Sequence, residues 1–212
     1  MKKIVLHFLV LCLAVLSLPG CNKQKPTAID SVESIYNLYI LRDTSGAEKL
    51  GMTAEEITTA LTGYDTALAN TIRTNFSNSG LEITDETLEE ICQARRDALS
   101  KMVADFTLTS TEANTAVVTL ATSYFNETEL DENAAYSARE EADAKGFTDY
   151  DEYLKYIMET YTKNLIAGYQ SVTPSEERKE IVVKCTIVDG TWLPMDMASF
   201  GGELGRAVSG QP

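Results

Sequence analysis

Apolar positions along this chain change their period three times, and the changes divide it into elements. From about residue 31 to residue 102 they recur at three- and four-residue spacing, as on one face of a helix. Val32, Ile35, Tyr36 and Tyr39 predict a helix from Ser31 to about Arg42, with Asp30 and Glu33 as its capping pair and Thr44–Gly51 as a loop after it. Thr53-Ala54-Glu55-Glu56 is a capping box. The stripe Ile57, Leu61, Tyr64, Leu68 and Ile72 follows it, ending at Ser77-Asn78-Ser79-Gly80. Gly63 within that helix suggests a close helix contact. A third helix starts at Thr84, where Leu88, Cys92, Arg95, Leu99 and Met102 share a face.

The period then becomes two. Ala104–Thr109 and Thr115–Phe125 alternate and are rich in Thr, Val, Phe and Tyr, which predicts a hairpin of strands across residues 110–114. Helical spacing returns in an Ala- and Glu-rich segment, residues 131–145, closed by Gly146. Its Ala134, Ala138 and Ala142 form a small-residue face suited to close packing on the next helix, which is expected to be capped by Thr148 and to reach Gln170. That second helix carries Tyr150, Tyr153, Leu154, Ile157, Met158, Tyr161 and Leu165. The stripe reads as core with hydroxyls at the boundary, the alternative being a stacking surface for a ligand. Ile181, Val183, Cys185 and Ile187 alternate along a last long strand. Asp189-Gly190 is a two-residue hairpin signal, and Thr191-Trp192-Leu193-Pro194 is the return strand. The tail Ser199–Gly205 is glycine-rich but lacks the strand–turn–helix context of a phosphate loop.

The first 21 residues follow neither period. Lys2 and Lys3 precede an almost wholly apolar run, Ile4–Leu18, and Leu18-Pro19-Gly20-Cys21 closes the segment. A basic head, an apolar stretch and a small residue before the cut make a secretory signal. The run is shorter than the roughly 20 residues that span a bilayer. Gly20 directly before Cys21 resembles the lipobox of bacterial lipoproteins, with cleavage between Gly20 and Cys21 and a lipid on the Cys21 sulfur. The expected organisation is a signal over 1–20, a lipidated cysteine and short polar tether over 21–27, and one α+β domain over 28–212. The expected location is a bacterial membrane, with the domain anchored on its extracytoplasmic face.

Removing residues 1–20 alters the chemistry of what remains. The formal charge moves from −14 to −16 as Lys2 and Lys3 leave, and an acidic surface argues against nucleic acid as a partner. His7, the chain's one histidine, also leaves, which excludes Ser-His-Asp and Cys-His catalysis and HExxH zinc sites from the mature domain. With Cys12 removed and Cys21 lipidated, Cys92 and Cys185 remain, either as a disulfide in an oxidising compartment or as two buried thiols. Asp149, Asp151 and Glu152 look like a fragment of a calcium loop, but they lack its glycine and terminal glutamate and fit better as a helix N-terminus. No residue set points to a catalytic centre, a metal or a cofactor.

The late strand Ile181-Val182-Val183-Lys184-Cys185-Thr186-Ile187-Val188, its Asp189-Gly190 turn and Trp192 resemble the bacterial surface lipoproteins catalogued as domain of unknown function 5105. These are similar in turn to nuclear-transport-factor-2-like and cystatin-like domains. The resemblance implies N-terminal helices packed on a curved antiparallel sheet of about four strands. The two helices between Asp131 and Gln170 depart from the simplest such order as an insertion. It carries no catalytic residues. The expected function is a lipid-anchored module that binds an envelope protein or a small-molecule ligand, with the membrane as a partner through Cys21. The alternative is an isomerase- or dehydratase-like enzyme using carboxylate or Tyr chemistry in a pocket between sheet and helices, which requires an inward Asp or Glu with a raised pKa.

Overall fold

The structure, a computed structural model, describes residues 25–212. The Met1–Cys21 segment lies outside the described residues. Seven helices and a four-stranded antiparallel sheet make a mixed α+β domain. The chain opens with α1 (Ala28–Tyr36), which continues directly into a π-helical turn, Asn37–Leu41. Thr27, not Asp30, caps α1. Its hydroxyl accepts from the Asp30 N–H while the Asp30 carboxylate accepts from the Thr27 N–H at 2.7 Å, so Asp30 is the far half of a capping box. Arg42 ends the π turn in the left-handed conformation (φ 61°), held by Asp65 and lying over the Tyr64 ring. The expected loop at Thr44–Gly51 contains a short helix, α2 (Ser45–Lys49).

Next come α3 (Ala54–Asn78), opened by the expected Thr53–Glu56 capping box, and α4 (Asp85–Leu99), capped by Thr84. Strands β1 (Ala104–Thr111) and β2 (Thr115–Thr122) form the predicted hairpin, with a bulge between Leu108 and Ser110. Strand β2 stops three residues short of Phe125. Thr122 therefore takes the inward place after Val118 and Leu120, where its hydroxyl meets the Tyr36 hydroxyl at 3.0 Å. Strands β3 (Lys179–Val188) and β4 (Thr191–Pro194) complete the sheet in the order β1-β2-β3-β4. Asp189 (φ 50°) and Gly190 (φ 84°) both turn through positive φ, as a two-residue hairpin needs. Val118, Leu120, Ile181, Val183 and Cys185 form the inner face, and α1 lies across β1, β2 and β4.

The glycine-rich tail is not a loop. Residues Met197–Val208 form α7, capped by Asp196 and packed on β3 and β4 through Phe200, Leu204, Ala207 and Val208. Those four positions follow helical spacing. Burying them outweighs the cost of three glycines at about 1 kcal/mol each.

The insertion is α5 (Glu127–Lys145) and α6 (Tyr150–Gln170), a helical hairpin between two strands that pair directly. Helix α5 starts four residues earlier than its apolar pattern suggests, at an Asn126 cap. Asp149 rather than Thr148 caps α6, accepting from the N–H groups of Asp151 and Glu152. Ala134, Ala138 and Ala142 are buried between the two helices, and Gly168 lets α6 approach Leu130. The tyrosines of α6 reach back to carboxylates of α5 along this seam: Tyr153 to Asp143, Tyr156 to Glu141, Tyr161 to Asp131 and Tyr169 to Glu127. The stripe is thus boundary and core along most of its length. Tyr150 at the distal end is 70 % exposed.

Gly63 has no close neighbour, contrary to the close helix contact its position suggested. A Cβ built there meets nothing within 4 Å, whereas one at Gly46 falls 2.5 Å from the Ser34 hydroxyl and 3.0 Å from the Ser34 Cα. Gly63→Ala should therefore stabilise the domain by about 1 kcal/mol, the helix-propensity gain. Gly46→Ala should destabilise it by about 1–3 kcal/mol through overpacking. Paired urea titrations give both signs, and equal effects at the two sites would contradict this packing.

Candidate functional site

Arg95 sits on the otherwise apolar face of α4, beside Cys92 and Leu99 in the helical repeat. Its side chain is only 12 % exposed, and an unpaired charge there would be costly. Glu127, the first residue of α5, answers it with a two-pronged contact: Nε donates to Oε1 at 2.6 Å and Nη2 to Oε2 at 3.0 Å. The Tyr169 hydroxyl of α6 donates to the same Oε1 at 2.7 Å. The Glu127 N–H in turn donates to the carbonyl of Ser209 at the end of α7. Burial raises the Glu127 carboxyl and Arg95 opposes it, leaving its pKa lowered. Burial and the neighbouring carboxylate raise Tyr169, so its hydroxyl stays protonated. The third guanidinium nitrogen of Arg95, Nη1, is buried without a protein partner.

Beside this junction, α6 and the start of α4 leave an open groove of about 910 Å³. Leu81, Leu154, Met158 and Ile166 supply its apolar lining, and Glu90 and Lys163 are among the charges on its margin. The α3–α4 connection, through Gly80, Leu81 and Glu82, forms one wall of the groove, and α6, against which α4 packs, forms the other. Thr162 lines the groove and is itself buried, with its hydroxyl oxygen unpartnered within the protein.

The enzyme alternative requires an inward carboxyl whose pKa is raised. The carboxyls with displaced pKa values are Asp30, Asp43, Glu56, Glu127 and Asp196, and every one is displaced downward. Four of these carboxylates accept hydrogen bonds from nearby backbone N–H groups, and Glu127 faces Arg95. Glu127 is the inward one, and its environment is opposite to that of a general acid poised near neutrality. Among the described residues, no group of three or more His, Cys, Asp or Glu side chains is placed to hold a metal.

Of the residues singled out in the sequence, Cys92 on α4 and Cys185 on β3 are buried free thiols. Burial pushes the Cys92 thiol up, and Cys185 up to about 11, which makes both poor nucleophiles. Gly20 and Cys21 lie outside the described residues. Arg95 was visible as a charge on an apolar stripe, but its partner, 32 residues further on, carries no sequence signal. Among the described residues no helix is long and apolar enough to cross a membrane.

No family model matches the chain, and no curated protein matches it in sequence. Its fold is similar to the crystal structure of a candidate lipoprotein, ycdA, from Bacillus subtilis (TM-score 0.58, 17 % identity over 83 % of this chain). That similarity is one of fold, and this chain spans about half (54 %) of that protein's length.

Glu127→Gln should leave Arg95 charged and underpaired, lowering stability at neutral pH by about 3–5 kcal/mol. Because the folded-state pKa of Glu127 is lowered, its contribution is present above the ordinary carboxyl range. It is lost as pH falls through that range towards the lowered value. Denaturation midpoints from pH 7 downward should therefore fall more steeply for the parent than for the Gln variant. Parallel profiles would show that the pair contributes no pH-dependent stability.

Proposed function

We propose that this chain is a lipid-anchored binding protein of the bacterial envelope. In this reading Cys21 carries the lipid on the extracytoplasmic side, and residues 28–212 present the α4–α6 groove to a ligand. The groove carries the binding half of the proposal: it is apolar in its depth, charged at its margin, and contains a buried hydroxyl without a partner. Its volume falls within the range of about 300–1,000 Å³ usual for small-molecule sites. The Met1–Cys21 layout supports the anchoring half, and the fold shared with a candidate lipoprotein is in keeping with it. The resemblance to surface lipoproteins drawn from the late strand and its turn points the same way.

A neutral apolar dye such as Nile red should brighten and shift to the blue in the presence of the protein. Met158→Glu, a change on the half-buried groove wall, should abolish that response, with some loss of melting temperature because Met158 also packs against the core. A full response from a folded Met158→Glu variant would place dye binding elsewhere and remove the support for the groove. For the anchor, Cys21→Ser expressed in a bacterium should escape labelling by an alkyne fatty acid and be released from membranes. Unchanged membrane retention of that variant would contradict the lipoprotein reading.

A further inference from the structure

The polar tether between the proposed lipid site and α1 ends against a particular part of the domain. The Lys25 ammonium lies 3.7 Å from where a Cβ of Gly190 would stand, so the chain enters beside the β3–β4 turn. Cys21 precedes Lys25 by four residues, and four extended residues reach about 14 Å at most. Whatever surface surrounds the β3–β4 turn must therefore stay near a bilayer that holds Cys21.

That surface is unusually apolar for such an exposed position. Ile187 and Val188, the last two residues of β3 and next to the turn, are 37 % and 46 % exposed. Trp192 pairs with Ile187 across the hairpin and is half-buried, an amphipathic ring suited to the headgroup level. Lys25 brings positive charge to this end of a mature chain whose formal charge is −16, and Asp189 at the turn opposes it. Anionic lipid would attract the basic tether and repel the acidic bulk of the domain.

We infer that the β3–β4 hairpin is the membrane-facing end of the domain. Ile187 and Val188 rest in the headgroup region of an anionic bilayer, so the anchored domain has a fixed orientation. The inference rests on the lipoprotein reading, since it is Cys21 that brings the hairpin to the membrane.

Trp192 is the chain's one tryptophan and reports on this contact directly. The mature lipidated protein would be reconstituted into vesicles of phosphatidylglycerol and phosphatidylcholine brominated on the upper acyl carbons. Flotation with the vesicles together with quenching of Trp192 is the expected result. Flotation without quenching would overturn the orientation while leaving the anchor intact. Failure to float would overturn the anchor and the orientation with it. Val188→Asp, a change at an exposed strand end, should float as the parent does but lose much of the quenching. Parent-like quenching in that variant would also overturn the inference.

Discussion

A buried arginine imposes the constraint on which the rest of this domain depends. Arg95 projects from the face with which α4 joins the core, and removing its charge from water is tolerable only with a carboxylate held in place. Glu127 meets that need from the first turn of α5, where the helix dipole also favours an anion. The pair is completed by Tyr169 near the end of α6 and is reached through Glu127's backbone by the end of α7. Three helices therefore meet at one carboxylate, and a fourth at the backbone of the same residue. A shift of α4, α5 or α6 by a residue would leave a charge or a hydroxyl unsatisfied in a poorly solvated place.

The topology explains why such a junction is useful. Strands β2 and β3 are neighbours, yet the 56 residues 123–178 separate them in sequence, and the chain must leave the sheet and return to the adjacent register. An α-helical hairpin does this economically if its two ends are held together. Glu127 lies at the departing end and Tyr169 at the returning end, so their hydrogen bond closes the excursion at its base. The Ala134–Ala138–Ala142 face brings the helices close, and the tyrosine–carboxylate pairs further out keep them in register. The groove is a consequence of the same geometry. Helix α6 is positioned by its contacts with α5 and α4, and the groove lies between it, the start of α4 and the α3–α4 connection.

Much of this was legible in the residues, and the illegible parts have a common cause. The capping box at Thr53, the alternation through β1, β2 and β3, the Asp189-Gly190 turn and the alanine face each act over a few residues and were visible as patterns. Helix α7 was not, because Gly201, Gly202 and Gly205 lower its intrinsic propensity and its helicity depends on packing against β3 and β4. The π turn after α1 is likewise set by tertiary contacts, with Arg42 held by Asp65 and Tyr64 from α3. At the candidate site, Arg95 could be seen as an intruder on an apolar stripe. Its partner, the tyrosine that completes the pair and the groove beside it all depend on which helices pack together, which periodicity does not encode.

The displaced titratable groups of the domain share one direction relative to neutrality. Hydrogen bonds from backbone amides and an ion pair move the displaced carboxyls downward, while burial and neighbouring carboxylates move the displaced tyrosines upward. Both buried thiols also move upward. Every one of these displacements is away from neutrality, and the domain after residue 20 has no histidine to titrate there. A group that keeps one protonation state across the neutral range is a poor proton shuttle and a dependable fixed charge.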